Sequence, residues 1–218
     1  MVLAYHIIFT GYGFWLPNDP RGSWSDFVWA WELACYGSAT KTDTRRSVAG
    51  AQHDHALRQA AKTALKYPPV QFNGIQARAI GRGFHDARDA GQYQILACSI
   101  LPEHVHMVIG RHPERTIETI ANHLKARATT FLTDDGLHPF QNEIARRGRR
   151  PSPWSESFWQ VYLDSEHDIE RAIRYVENNP LKDGLRPQNW RFVEKSRLAP
   201  AFGPGSAPQL TPRPKGRG

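Results

Sequence analysis

The sequence predicts an α+β protein: a ferredoxin-like α/β sandwich, in which a βαββαβ run builds an antiparallel sheet, with one further helix at the C-terminal end. Three observations carry this. Four short segments rich in β-branched and aromatic residues (3–10, 93–100, 104–110 and 158–164) read as strands. Segments with apolar residues at helical spacing lie between the first and second strands and between the third and fourth. Only "LPE" separates the second strand from the third, which makes those two an antiparallel hairpin.

Each element has its own signal. "LAYHIIFT" (3–10) alternates and leads into "GYGFWLPNDPRGSWSDFVWAW", where Gly, Pro, Asp and Asn break regular structure. This gives a Trp-rich loop insertion at about 11–48, whose Trp15, Trp24 and Trp29 suit either packing or stacking on a flat ligand. "AGAQHDHALRQAAKTALKY" (49–67) sets Leu57, Ala61, Ala64 and Leu65 on one helical stripe and ends before Pro68–Pro69. "ERTIETIANHLKARATTFL" (114–132) carries Ile117, Ile120, Leu124, Ala128 and Phe131 at helical spacing. The last helix, 165–180, opens with Ser165-x-x-Asp168 as a capping pair and is expected to stop at Pro180. One domain therefore spans 1–198, and the basic Pro/Gly-rich tail 199–218 is expected to be disordered.

Composition narrows the function classes. The net charge of +7 and pI of about 9.6 are unevenly spread, with four arginines in "RRGRR" (146–150), which favours a polyanionic partner. Cys35 and Cys98 are too few and too far apart for a disulfide framework, which fits a reducing compartment. The first residues lack a secretion signal, and no run approaches the ~18 apolar residues of a membrane span. A soluble cytoplasmic protein with no membrane partner is the expectation.

The chemistry begins at "LPEHVHMVI". Successive side chains on a strand point to opposite faces, so His104 and His106 share one face while Val105, Met107 and Ile109 anchor the other. A two-imidazole metal site requires this arrangement, although H-x-H alone also fits two strand histidines with no ligand. A histidine-triad hydrolase would need a third histidine where Val108 stands. Zinc normally takes three or four N/S ligands, and neither cysteine is near. Two imidazoles and an oxygen ligand better suit Mg²⁺ or Mn²⁺, with waters and a phosphate completing the shell. The "HDH" at 53–55 has the same spacing, but it falls at the start of a predicted helix, where residues two apart do not face each other. On the last helix, Ile169, Ala172, Ile173 and Val176 form the buried stripe, with Tyr175 and Asn179 together at its margin, one turn apart. The pattern by itself fits a boundary tyrosine with its hydroxyl in water.

Taken together, "LPEHVHMVI", a helix after it, "FWQVYLD" and "RAIRYVENNPLKDGL" resemble the single-tyrosine transposases of the HUH superfamily. Within it they are most similar to the bacterial REP-associated tyrosine transposases, and "YHIIFTGYGFWLPNDPRGSW" resembles that family's first strand and the segment after it. The resemblance implies a DNA strand transferase that cuts and rejoins single-stranded DNA near hairpin (REP-like) elements through a 5′-phosphotyrosine. Tyr175 would be the nucleophile, and His104, His106 and Asn179 would hold Mg²⁺ or Mn²⁺. It also implies a bacterial, nucleoid-associated protein; monomer and homodimer stay open. Arg21, Lys125, Arg127, Arg146 and Arg147 are candidates for phosphate contact, each also explicable as a solvated charge. Two alternatives stand beside this reading. A hairpin-binding module that no longer cuts would be expected to have lost one of the four site residues. A replication or relaxation initiator of the same superfamily commonly carries a second tyrosine or extra domains, whereas "IRYVENN" has only Tyr175 and no P-loop occurs.

Overall fold

The computed structural model describes residues 1–19, 28, 31–40, 52–144 and 148–194. Its sheet has four strands: β1 (Ala4–Thr10), β2 (Ile95–Ile100), β3 (His104–Gly110) and β4 (Trp159–Leu163). They lie in the order β2-β3-β1-β4 with every neighbouring pair antiparallel, which is the expected ferredoxin-like topology. Among the described residues four α-helices accompany it: α1 (His55–Thr63), α2 (Gly74–Gly91), α3 (Ile117–Asp134) and α4 (Glu166–Lys182).

Strand alternation divides the chain between two layers. Ile7 and Phe9 of β1, Val105, Met107 and Ile109 of β3, and Cys98 and Ile100 of β2 face α2 and α3 and form the main core. The opposite face carries a smaller cluster, in which Ala4, Ala97, Val108 and Leu163 meet Ile169, Ala172 and Val176 of α4. A register shift between Ile95 and Ala97 breaks the alternation of β2. Leu96 and Ala97 both pack on the α4 side as a result.

The helix that crosses from β1 to β2 against the sheet is α2, and the 49–67 segment does not fill that role. The described helix in that segment, α1, is shorter and packs away from the sheet, with Ala61 against Leu16 and Leu33. Pattern alone does not assign α2, because "GIQARAIGRGFHDARDAG" contains glycines that lower helix propensity. Those glycines serve close packing instead. A Cβ on Gly83 would stand 2.6 Å from the Cα of Ala128, so α2 and α3 meet backbone to backbone there. Asn73 starts the helix with a full capping box to Gln76. Gly83→Ala is expected to push the two helices apart and cost about 1–3 kcal/mol, which a urea melt of the variant checks.

Pro180 does not stop α4, which continues to Lys182 with Pro180 inside its last turn. Proline removes one backbone N–H, and so near the C-terminus that loss ends one hydrogen bond without breaking the helix. Gly184, at φ 70°, then turns the chain, and the Leu185 N–H donates to the carbonyl of Pro180. The capping pair is as expected: the Ser165 side chain accepts from the Asp168 N–H. Among the described residues, no helix is long and apolar enough to cross a membrane.

Candidate active site

The site forms on the sheet face that α4 only partly covers. β1 and β3 pair so that Ile8 stands opposite His106 and Thr10 opposite His104. β2 pairs on the other side of β3, with the buried Ser99 opposite His106. Val105 and Met107 are fully buried on the far face and fix the strand, so the two imidazoles are held on one face as the spacing predicts. Their ring centroids lie 4.9 Å apart at 76°. His104 is half-buried against Phe14 of the segment after β1, whereas His106 is only 4% exposed.

A third histidine belongs to this cluster. His6 on β1 is diagonal to His106 on the same face, and its Nε2 lies 3.1 Å from His106 Nδ1, within hydrogen-bond reach. The two rings stack with centroids 5.3 Å apart. Burial lowers the pKa of His6 to about 4. His106 is held well below its ordinary value, first by burial and then by His104, His6 and Lys182. Both rings are therefore neutral at neutral pH. His6 is invisible to local motif reading because its partner is a hundred positions away. Its only signal is parity: position 6 shares a face with 4, 8 and 10 on a strand of mostly apolar residues.

α4 brings Tyr175 to the same place. Its ring is edge-on to His106 at 5.4 Å and to His6 at 5.7 Å, with 44% of the residue exposed. Burial, and secondarily Asp183, raise the phenol's pKa. The Lys182 ammonium stands 4.2 Å from the Tyr175 ring centroid. Asn179, one turn beyond Tyr175, is buried rather than marginal, and its Nδ2 makes no hydrogen bond within the described residues. Two imidazoles and the Oδ1 of a buried amide are nitrogen and oxygen donors of the kind that Mg²⁺ or Mn²⁺ accepts with waters, whereas the unbonded Nδ2 can only donate hydrogen bonds. Among the described residues no group of three or more His, Cys, Asp or Glu side chains is gathered for an ion, so an ion at the two histidines would need a donor of another kind.

The expected phosphate-contacting residues divide. Arg21, Arg146 and Arg147, like Trp24 and Trp29, lie outside the described residues. Arg127 pairs with Asp86 and lies over the Phe131 ring. Lys125 is not on the polar side of its helix. It falls on the buried stripe with Ala121, Leu124, Ala128 and Leu132, at a spacing the sequence already displays. Its ammonium donates to the carbonyls of Ser155, Glu156 and Ser157 at 2.8, 3.3 and 3.1 Å, and burial lowers its pKa to about 8. Lys125 thereby ties the segment before β4 to α3. Lys125→Met is expected to cost roughly 1–3 kcal/mol, since it strips those carbonyls of their donor, and to leave hairpin-DNA affinity unchanged. Thermal melting and a binding isotherm check both parts; a stable variant with weakened DNA binding would restore the phosphate role.

The "HDH" pair also differs from expectation. Asp54 is the N-cap of α1, so His53 precedes the helix and the two rings approach to 4.0 Å. His55 opens α1, the helix whose Ala61 packs against Leu16 and Leu33.

A ferredoxin-like sheet with two histidines on one strand face and a helix-borne tyrosine against them is the arrangement of the single-tyrosine transposases of the HUH superfamily. The family model "Transposase IS200 like" matches residues 44–179, and the chain belongs to that family. Among solved structures, a REP-associated tyrosine transposase bound to a REP hairpin is similar at 13% identity, covering 84% of this chain and 70% of that one, with a TM-score of 0.45. A transposase-like protein of Deinococcus radiodurans is similar at 15% identity, covering 82% and 91%, with a TM-score of 0.36. No curated protein matches.

Proposed function

We propose that this chain cuts and rejoins single-stranded DNA beside hairpin elements, with Tyr175 as the nucleophile and His104, His106 and Asn179 as the ligands of Mg²⁺ or Mn²⁺. The observation that carries the reading is the contact between Tyr175 and His106, which brings the two separate motifs to one point. Membership of a transposase family supplies the DNA substrate class. The hairpin preference rests on the resemblance of "YVENNP" and "LPEHVHMVI" to the REP-associated proteins.

The chemistry uses each of these parts. The Tyr175 oxygen attacks phosphorus in line as the bond to the 3′ oxygen breaks, leaving DNA joined by its 5′ phosphate and a free 3′ hydroxyl. The phenol proton leaves to water, and the 3′ oxygen takes one up. Because the tyrosyl ester retains the energy of the broken bond, joining to a new 3′ hydroxyl needs no ATP. A divalent ion would supply Lewis acidity toward a non-bridging phosphate oxygen, relieving the charge that builds on five-coordinate phosphorus. Lys182 lies over the face of the phenol ring, a cation–π contact that holds the ring in place. Exposed Arg149 and Arg150 border a groove also lined by Thr129, His138 and Gln141, a second place for backbone phosphates.

The deciding test is the polarity of cleavage. Hairpin oligonucleotides labelled at either end, incubated with protein and Mn²⁺, should yield a free fragment ending in a 3′ hydroxyl and a protein-linked fragment joined through its 5′ phosphate. Release of two free fragments, or attachment through a 3′ phosphate, overturns the proposal.

A further inference from the structure

The hydrogen bond between His6 and His106 has a direction, and the direction decides which nitrogen of His106 can bind an ion. Both rings are buried, and nitrogens 3.1 Å apart need one proton between His6 Nε2 and His106 Nδ1. If His6 donates it, His106 carries its own proton on Nε2, and neither nitrogen of His106 is left with a free lone pair. If His106 donates from Nδ1, its Nε2 keeps a bare lone pair. That Nε2 makes no hydrogen bond within the described residues, whereas Nδ1 is already engaged. A ligating imidazole commonly donates its second N–H to a neighbouring acceptor, which fixes both tautomer and ring orientation.

We propose that His6 is a positioning residue for the metal site: its Nε2 accepts the Nδ1–H of His106 and holds the His106 Nε2 lone pair toward the ion. The inference rests on the metal reading above and assigns His6 a role without making it a ligand. The surroundings are built for it. The rings stack, the β1–β3 register fixes their offset, and Trp159 and Tyr175 close on the His6 ring edge-to-face at 5.7 Å each. A freely rotating His106 in water would favour the opposite, Nε2–H form. Without an acceptor at position 6, part of the population would present a protonated nitrogen to the ion.

The test reads the tautomer before any metal is added. Long-range ¹H–¹⁵N correlation spectra of the metal-free protein should show His106 with a pyrrole-type Nδ1 and a pyridine-type Nε2. In His6→Phe, Nε2 should become partly protonated, and Mn²⁺ affinity by calorimetry should fall about 10- to 100-fold. His6→Gln, which offers an amide oxygen as acceptor, should recover most of that affinity and controls for a folding defect in the phenylalanine variant. A wild-type His106 protonated on Nε2 overturns the proposal. So does unchanged Mn²⁺ affinity in His6→Phe, or His6 nitrogens that shift as ligands when Mg²⁺ is added. Wild-type protein that binds no Mn²⁺ defeats the metal reading instead, and the metal-free spectrum still decides the direction of the hydrogen bond.

Discussion

Replacing Tyr175 with phenylalanine is expected to abolish the covalent protein–DNA adduct, lowering its rate by roughly 10³-fold or more, while hairpin affinity stays within about twofold. The substitution removes one oxygen from a side chain that is 44% exposed, so stability should change by less than about 0.5 kcal/mol. The ring remains to pack against His6 and His106 and under Lys182. Tyr162 is the internal control. It is also exposed, but it lies on β4 against Tyr5, with its hydroxyl accepting from Gln160 at 3.3 Å. Tyr162→Phe should form the adduct at the wild-type rate. Denaturing gels and mass mapping of the modified peptide measure both variants. An adduct that survives Tyr175→Phe, or that maps to Tyr162, rejects the assignment. Tight hairpin binding by wild-type protein that never forms an adduct, with metal present, identifies a binding module that no longer cuts.

The second large effect is the metal requirement. Cleavage should stop in EDTA and return with Mg²⁺ or Mn²⁺. His104→Ala with His106→Ala should lower the rate by about 10²-fold or more, the several kcal/mol that a Lewis acid supplies to a phosphoryl transition state. A readout independent of turnover is available, because an ion that binds only the folded state raises its melting temperature by mass action. Mn²⁺ should stabilise the wild type and leave the double variant unmoved. Full cleavage in chelator, or full cleavage by the double variant, removes the ion from the mechanism.

Much of the fold is legible in the sequence, and the reasons are local. A strand's period of two assigns His104 and His106 to one face and Val105 and Met107 to the other without knowing what pairs with them. The apolar stripe of α4 likewise places Tyr175 at its margin before any tertiary contact is known. What escapes depends on distant partners. α2 looks too glycine-rich for a helix until α3 is laid against it. His6 looks like an incidental strand residue until the β1–β3 register sets it diagonal to His106. Lys125 misleads for a different reason: its charge suggests a polar face although its position lies on the buried stripe. The three carbonyls that receive its ammonium belong to a loop with no recognisable pattern.

The two inner glycines of α2 have different evolutionary prospects. Gly81 is pressed by the indole of Trp190, so a lineage that gains a larger residue at 81 can compensate by changing position 190, and the two sites should drift as a pair. Gly83 faces the main chain of α3, at Arg127 and Ala128, and no substitution at those positions removes a backbone. Among homologues, position 81 should therefore vary in step with a partner, while position 83 should stay glycine wherever the helices keep this spacing.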